Sequence, residues 1–490
     1  MKHHLIFLFL LAVVTTSCKE NKSKKSNQPT ETKTLQTTWK DSVGSKPITI
    51  PNQTFFVNDY GAVSDKNTIN TDAIQKTIDA CSDAGGGVVT FKPGTYLTGS
   101  IFIKSNIKFL VPEGVTILGS ENIKDYKEID TRIAGIEIKW PAALINVRNQ
   151  NNVIIDGDGT VDGQGKVFWD YYWDLRRNDY EPRGLRWIVD YDAKRPRTFL
   201  ISKSENVAFK NLNIQRAGFW TVQVLYSQFI TVDGLTIKNN IGGHGPSTDG
   251  IDIDSSRYIL VQNCDIDCND DNFCLKAGRD WDGQRVNKPT EYVVIKDCIA
   301  RRGAGLFTLG SETAGSIRHV YVSNIKGFGT KNGLNIKSAV NRGGTVEDIV
   351  MENIKMDSVR TFMQVGMNWN PAYSYSKLPE AFNENEIPEH WKKMLKIVTP
   401  EKGIPTFRNI SVNNVAIKGA QTAINVNGLE ASVIKNVSLS NVSIEAETAG
   451  QVSFSEDWTL NNVKIYAKDS TRVTLEHTNG VNFTETVYNE

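Results

Sequence analysis

The chain has 490 residues, with 56 Lys and Arg against 55 Asp and Glu for a formal net charge of +1. So even a balance gives no electrostatic case for nucleic acid or an anionic membrane surface as a partner. The length allows one large domain or two ordinary ones, and 39% hydrophobic residues with frequent glycine suit a globular chain rich in strands and turns.

The N-terminus reads as an export signal. Lys2 and two histidines precede an apolar run from Leu5 to Val14, and Thr15, Thr16 and Ser17 lead to Cys18. That run is too short to span a bilayer. Small residues directly before a cysteine resemble a bacterial lipobox. Residues 1–18 are therefore expected to be a lipoprotein signal, with Cys18 lipidated. The protein is then exported and anchored to a bacterial membrane, the outer one, on its periplasmic or cell-surface face. An ordinary signal peptide with an incidental cysteine is the plainer alternative. No other stretch is apolar enough to cross a membrane, so the lipid is the only membrane contact expected. Residues 19–45 are rich in Lys, Ser, Thr, Asn and Gln, which predicts a flexible tether and leaves 46–490 as the folded domain.

The folded part opens with a short helix. Asn70 or Thr71 can cap it, Ile74, Ile78 and Cys81 share one face, and the run Gly85, Gly86, Gly87 ends it. Strands follow at 88–91 and 100–103. From about residue 150 a short alternating apolar run recurs with a small polar turn beside it. It appears at 152–155, 206–209, 229–232, 258–261, 292–295, 319–322, 348–351, 409–412, 436–439 and 462–465, mostly about 23 to 34 residues apart. Repeats of that period signal a solenoid. Strand-forming residues without intervening helices select a parallel β-helix, an all-β fold, over helical or leucine-rich arrays. A propeller would need four strands per repeat, which this spacing barely holds. Asn and Asp beside the strands fit tight corners because they tolerate left-handed backbone.

Two stretches break the rhythm and predict surface loops: about 140–197, with Trp169, Tyr171, Tyr172 and Trp173, and about 361–405, with Trp369, Tyr373, Tyr375 and Trp391. Their aromatics either stack on sugar rings or stabilise the loops. Beyond Cys18 the cysteines are Cys81, Cys264, Cys268, Cys274 and Cys298. Their spacing lacks paired C-x-x-C knuckles, so they are read as small apolar fillers and no metal is expected.

The densest acidic stretch holds Asp249, Asp252 and Asp254, followed by Asp270 and Asp271. Asp249 and Asp270 are 21 residues apart, close to one coil. Consecutive turns would then set Asp249, Asp270 and Asp271 above one another on one outer face. Three adjoining carboxyls cannot all ionise readily, which is the condition for an acid beside a base. Glycosidic cleavage needs such a pair. Read by spacing alone, the same residues are also compatible with solvated or calcium-binding turns.

These segments resemble glycoside hydrolase family 28, the polygalacturonase family, whose motifs are Asn-Thr-Asp, Asp-Asp, Gly-His-Gly and Arg-Ile-Lys. They correspond to Ser247-Thr248-Asp249, Asp270-Asp271, Gly303-Ala304-Gly305 and Asn335-Ile336-Lys337. The stretch from Gly278 to Gly283 is similar to bacterial exo-acting members, and the likeness covers roughly 50 to 470. It implies a right-handed, pectin-lyase-like β-helix with a capping helix, and inversion by single displacement without a cofactor. Asp270 would be the general acid, Asp249 and Asp271 would hold and activate water, and Lys337 would bind an acidic or polar group of the sugar. Ala304 and Asn335 replace the family's His and Arg, which points away from plain polygalacturonate toward rhamnogalacturonan-like or other uronate- and rhamnose-bearing chains of plant or algal type. His244, Arg279, Glu312, Arg342 and Asn335 are further candidates for contact with the polysaccharide or oligosaccharide substrate. Two other readings share the fold: a β-helix polysaccharide lyase, which needs calcium and a basic residue, and a sugar-binding protein without catalysis.

Overall fold

The computed structural model describes residues 35–484 and 486. The export signal and Cys18 lie outside the described residues. The expected tether ends sooner than residue 45. The 3-10 helix Thr38–Ser42 lies against the coils: Trp39 meets Tyr292 edge-on at 5.5 Å, and Gly44 N donates to Tyr258 O at 3.0 Å. Aromatic contact and backbone pairing hold a segment whose composition alone reads as coil.

Among the described residues, thirty strands join in one parallel system; the earlier turns of the chain each pass through three of them, and in the later turns neighbouring strands run together. The sheet that matters for function, here called the site sheet, stacks Phe199–Ser202, Val222–Leu225, Ile251–Asp254, Asp271–Lys276, Gly305–Leu309, Asn332–Lys337 and Thr361–Gly366 in register. A second sheet stacks Glu205–Lys210, Gln228–Asp233, Arg257–Gln262 and Thr290–Lys296. A third stacks Asn213–Gln215, Thr236–Lys238, Asp265–Asp267 and Ile299–Arg301. The result is the expected right-handed parallel β-helix. Coils repeat at the strand spacing of about 4.8 Å.

Period-two alternation divides each site-sheet strand. One column, Val224, Ile253, Leu275, Leu309, Ile336 and Val365, points inward and is fully buried. Each such side chain contributes about 1.5–3 kcal/mol of burial. The alternate column, Gln223, Asp252, Cys274, Thr308, Asn335 and Gln364, points outward. The corner before each second-sheet strand is left-handed, as the Asn and Asp pattern implies. Asn152, Asn206, Asp348, Asn409 and Asn436 all have positive φ, and Asn206 Nδ2 donates to Asn152 Oδ1 at 2.8 Å. In mid-helix the same corner holds Phe229, Tyr258, Tyr292 and His319, whose rings stack 4.9 to 5.0 Å apart. Ring stacking offsets the strain of left-handed backbone there.

The capping helix is Thr71–Asp83, with Ile74, Thr77, Ile78 and Cys81 buried. Asn70 occupies the N-cap position, but its side chain ties Val63 to Leu97 instead of capping the helix. The two insertions are shorter than expected. Residues 145–162 form a regular coil, and Thr361–Gly366 is a site-sheet strand. The first excursion covers 163–198, the second 367–405, and an unforeseen antiparallel hairpin, Glu128–Ile133 with Ile136–Pro141, rises before them. All three share one apolar cluster that includes Ile136, Trp140, Trp187, Tyr191, Trp220, Trp391 and Met394. Asp192 of the first excursion accepts from Trp391 Nε1 of the second at 2.9 Å. Trp391 is therefore loop-stabilising, and Trp169, Tyr172 and Tyr373 are buried as well. Cys81, Cys264, Cys268, Cys274 and Cys298 are buried free thiols. All but Cys274 sit in the interior core as expected, whereas Cys274 faces outward.

Candidate active site

Two adjoining coils supply the aspartates. Asp249 lies two residues before Ile251–Asp254, Asp252 lies within it, and Asp270 and Asp271 open the next coil. Gly250 N donates to Asp271 O at 2.9 Å, which locks the two coils in step. One carboxylate oxygen from each of Asp249 and Asp271, together with Cys274 Sγ, lie within 4.8 Å of one another. Gly305 stacks directly on Asp271, and a Cβ there would stand 2.8 Å from Asp271 Oδ1. The glycine makes room for the carboxylate.

Two buried lysines divide the acidic groups between them. Lys276 Nζ lies 3.6 Å from Asp249 Oδ2, 3.6 Å from Asp252 Oδ1 and 3.4 Å from Glu312 Oε2, with the ring of Trp220 at 5.0 Å. Lys337 Nζ donates to Asp271 Oδ2 at 2.8 Å and lies 4.7 Å from the ring of Trp369. Thr308 Oγ1 donates to Asp271 Oδ1 at 2.8 Å, and Asn335 Nδ2 donates to Thr308. Asp270 has no cation within 4 Å among the described residues and is only partly covered. These ammoniums occupy the carboxylates that, with Cys274, could otherwise hold a cation.

The protonation tendencies follow. Burial, reinforced by the charges of Asp252 and Asp270, pushes Asp249 well above the usual carboxylate range. Burial lifts Asp252 to about 8 against the pull of Lys276. Asp270 is raised by burial and by the Asp271 charge beside it. At Asp271 burial also opposes ionisation, but Lys337 and Lys276 outweigh it and hold that carboxyl below its ordinary value. Burial acts the same way on Glu312, where Lys276 and Arg342 prevail and bring it to about 2. Neighbouring carboxyls pushed apart in this way supply both a proton donor and a proton acceptor.

A family model for glycosyl hydrolases family 28 matches residues 96–377, more than half of the chain. The chain belongs to glycosyl hydrolase family 28. It is a glycosidase, in keeping with the family to which its motifs point. A probable polygalacturonase of Vitis vinifera is 27% identical over 418 residues, covering 83% of this chain and 76% of that protein. An exo-poly-alpha-D-galacturonosidase of Dickeya chrysanthemi is 26% identical over 66% of this chain, which spans 60% of that relative's length. A solved hyperthermoactive exopolygalacturonase from Thermotoga maritima superposes with a TM-score of 0.72 at 23% identity, covering 87% of this chain and 96% of that one. At that identity the likeness speaks for the fold.

Among the motif residues of this family 28 chain, the structure gathers Asp249, Asp270, Asp271, Asn335 and Lys337 on one outer face, with Glu312 one contact beyond. His244 is exposed on a neighbouring loop, its ring stacked on Trp173 at 6.2 Å. Burial and the charge of Lys331 lower its affinity for a proton. Arg279 and Arg342 are enclosed by protein groups. Both are fully buried. Arg279 donates to Tyr191 Oη at 2.9 Å and to Tyr373 O at 2.7 Å, and Arg342 pairs with Asp280 and donates to Ser311 O at 3.0 Å. They fasten the insertions beneath the site, because a guanidinium there satisfies several carbonyls and hydroxyls at once. Sequence reasoning passed over Asp252, Lys276, Thr308 and Trp220. Asp252 and Lys276 carried a usable signal, since both fall on outward positions once the alternation is counted from Ile251 and Phe273.

Proposed function

We propose that the chain is an inverting, exo-acting hydrolase of a pectic polysaccharide, a uronate- or rhamnose-bearing chain. The observation that carries the assignment is the unequal sharing of cations among three aspartates. Lys337 holds Asp271 in its ionised form, and Lys276 beside Asp249 works against the burial that raises that carboxyl. Asp270 has no cation within 4 Å among the described residues, and burial together with the Asp271 charge beside it favours its protonated form, while its partial exposure leaves it within reach of the leaving oxygen. Asp270 then protonates the leaving oxygen, while Asp249 and Asp271 hold a water and take its proton as it attacks the opposite face of the sugar. Lys337 keeps Asp271 ionised as a point charge beside the sugar.

Exo action draws support from the outward column of the site sheet. Gln223 and Asp252 are fully buried beneath the hairpin and the first excursion, Gln364 is half-buried, and Gln451 on a later coil is exposed. The groove is thus covered on its amino-terminal side and opens toward the carboxy-terminal coils. Such a pocket accepts a chain end. The names of the Dickeya and Thermotoga proteins agree with this reading. Export and lipid attachment at Cys18 belong to the same proposal, and a Cys18→Ser variant that still partitions with membranes would remove that part.

The test is Asp270→Asn on pectic oligosaccharides, with product size and anomeric configuration read by NMR. Wild type should release one product size with inverted configuration. The variant should lose about 10²–10⁴-fold in kcat with its melting temperature kept. Near wild-type turnover in the variant, or retained configuration, defeats the assignment.

A further inference from the structure

We propose that the covered pocket over Asp249 and Asp271 takes a neutral sugar residue, and that the uronate of the substrate lies across the scissile bond, on a cationic aromatic rim formed by Trp173, Arg177, His244 and Lys331. This rests on the function proposed above and assigns its two subsites.

The pocket has no cation to spare for a uronate. Its carboxyls are Asp249, Asp252, Asp271 and Glu312, four in all, and its ammoniums are Lys276 and Lys337, two. Lys276 already faces three of those carboxyls, and Lys337 is held between Asp271 and the Trp369 ring. The nearby guanidiniums of Arg132, Arg195, Arg279 and Arg342 are fully buried and engaged with protein acceptors. A uronate in the pocket would add a further anion where each ammonium already has one, Glu312 for Lys276 and Asp271 for Lys337, in surroundings that screen charge poorly. The remaining donors there, the Asn335 amide and the Thr308 hydroxyl, are neutral and suit sugar hydroxyls. At position 304 an alanine offers no donor.

The rim beside Asp270 is the reverse. The loop carrying His244 is pinned next to the acid, because Asn269 Nδ2 donates to Gly245 O at 2.6 Å. Trp173 Nε1 donates to His244 O at 2.9 Å, and the two rings stack. Arg177 lies 4.5 Å over the Trp173 ring, is exposed, and forms no ion pair among the described residues. Lys331 is likewise exposed and unpaired, and it stacks through Gly303 onto the coil of Asp270: Lys331 N donates to Gly303 O at 2.9 Å, and Ala304 N donates to Asp270 O at 2.8 Å. An aromatic face with free cations on the acid's side matches a sugar ring bearing a carboxylate. The acid protonates the leaving oxygen, so this is the leaving-group side.

The neutral residue could be a 6-deoxyhexose or a methyl-esterified uronate. The test uses three oligosaccharides with the same galacturonate on the leaving side and different non-reducing ends: free galacturonate, its methyl ester, and rhamnose. At least one neutral end should be cleaved with kcat/KM ten-fold or more above the free galacturonate end, and the preferred arm identifies the source. In Arg177→Ala and Lys331→Ala, the ratio of kcat/KM on that substrate to kcat/KM on the same terminal sugar linked to p-nitrophenol should fall about ten-fold, the loss of one charged contact. Equal or faster cleavage of the free galacturonate end, or an unchanged ratio in both variants, overturns the subsite assignment and leaves the hydrolase standing. Failure to cleave any arm strikes the proposed function itself, and this assignment with it.

Discussion

Lys276 should act as a positioning residue that sets the charge of Asp249, and Lys276→Gln tests it. In the folded protein its ammonium is nearly inaccessible and lies 3.4 to 3.6 Å from three carboxylates. A unit pair at that range is worth about 4 kcal/mol at the effective dielectric that suits protein sites. Were one such interaction shared equally over Asp249, Asp252 and Glu312, each would lose a little over 1 kcal/mol of support for its ionised form, about one pKa unit. The sign is upward, because removing a cation disfavours the anion. Asp249 must be ionised to take a proton from water, so the acid limb of kcat/KM should move about one unit toward higher pH. Below the limb, activity should fall about ten-fold. Leaving the carboxyls unpaired should also cost about 3–5 kcal/mol of stability. The assay is a pH profile of kcat/KM beside thermal melts of both proteins. A folded Lys276→Gln protein with an unmoved limb, or one moved to lower pH, would refute the reasoning.

Two further outcomes concern stability. Gly135, at the hairpin tip with φ +84°, abuts Arg279, and a Cβ there would stand 2.5 Å from Arg279 Cβ and N and 2.8 Å from Glu312 Cγ. Gly135→Ala should therefore destabilise the protein by about 2–4 kcal/mol, overpacking and left-handed backbone together, as read by denaturant titration. Asp252 rises in the fold from 3.8 to about 8, so the native state holds a proton that the unfolded chain releases. Stability should thus decline as pH rises from about 4 to 8. Glu312, lowered from 4.5 to about 2, adds the opposite loss as pH falls through that range. Melting temperatures should peak near pH 4 to 5, and Asp252→Asn should flatten the decline on the alkaline side.

The solenoid was legible because its physics is local. Inward residues repeat every second position, corners demand left-handed backbone, and both leave marks within a few residues. The trio was legible for a related reason, since a coil of about 21 residues brings Asp249 beside Asp270. What stayed hidden depends on contacts across long sequence distances. Nothing near Arg279 indicates that Tyr191 and Tyr373 will enclose it, so a plausible sugar-binding arginine became a buried fastener. Trp391 reads equally well as a sugar platform until Asp192, far upstream, takes its indole N–H. The rim of Trp173, Arg177, His244 and Lys331 is assembled from three separate loops, and no single stretch announces it.

The same stacking that builds the scaffold fixes the chemistry. A coil repeat of about 4.8 Å is too short for adjoining carboxylates to ignore one another and too long for direct contact at every pair. Each carboxyl must therefore find a cation or keep its proton. Lys337 at an outward position answers this for Asp271 and Lys276 offsets it in part for Asp249, with Gly305 in the intervening strand leaving space for the Asp271 carboxylate. Asp270 lies just before the regular strand, where the alternation has not begun, and Lys331, two coils on at its register, is exposed and makes no ion pair with it. Its lack of a cation is a consequence of where the strand starts, and that is why the proton falls to Asp270 and not to its neighbour.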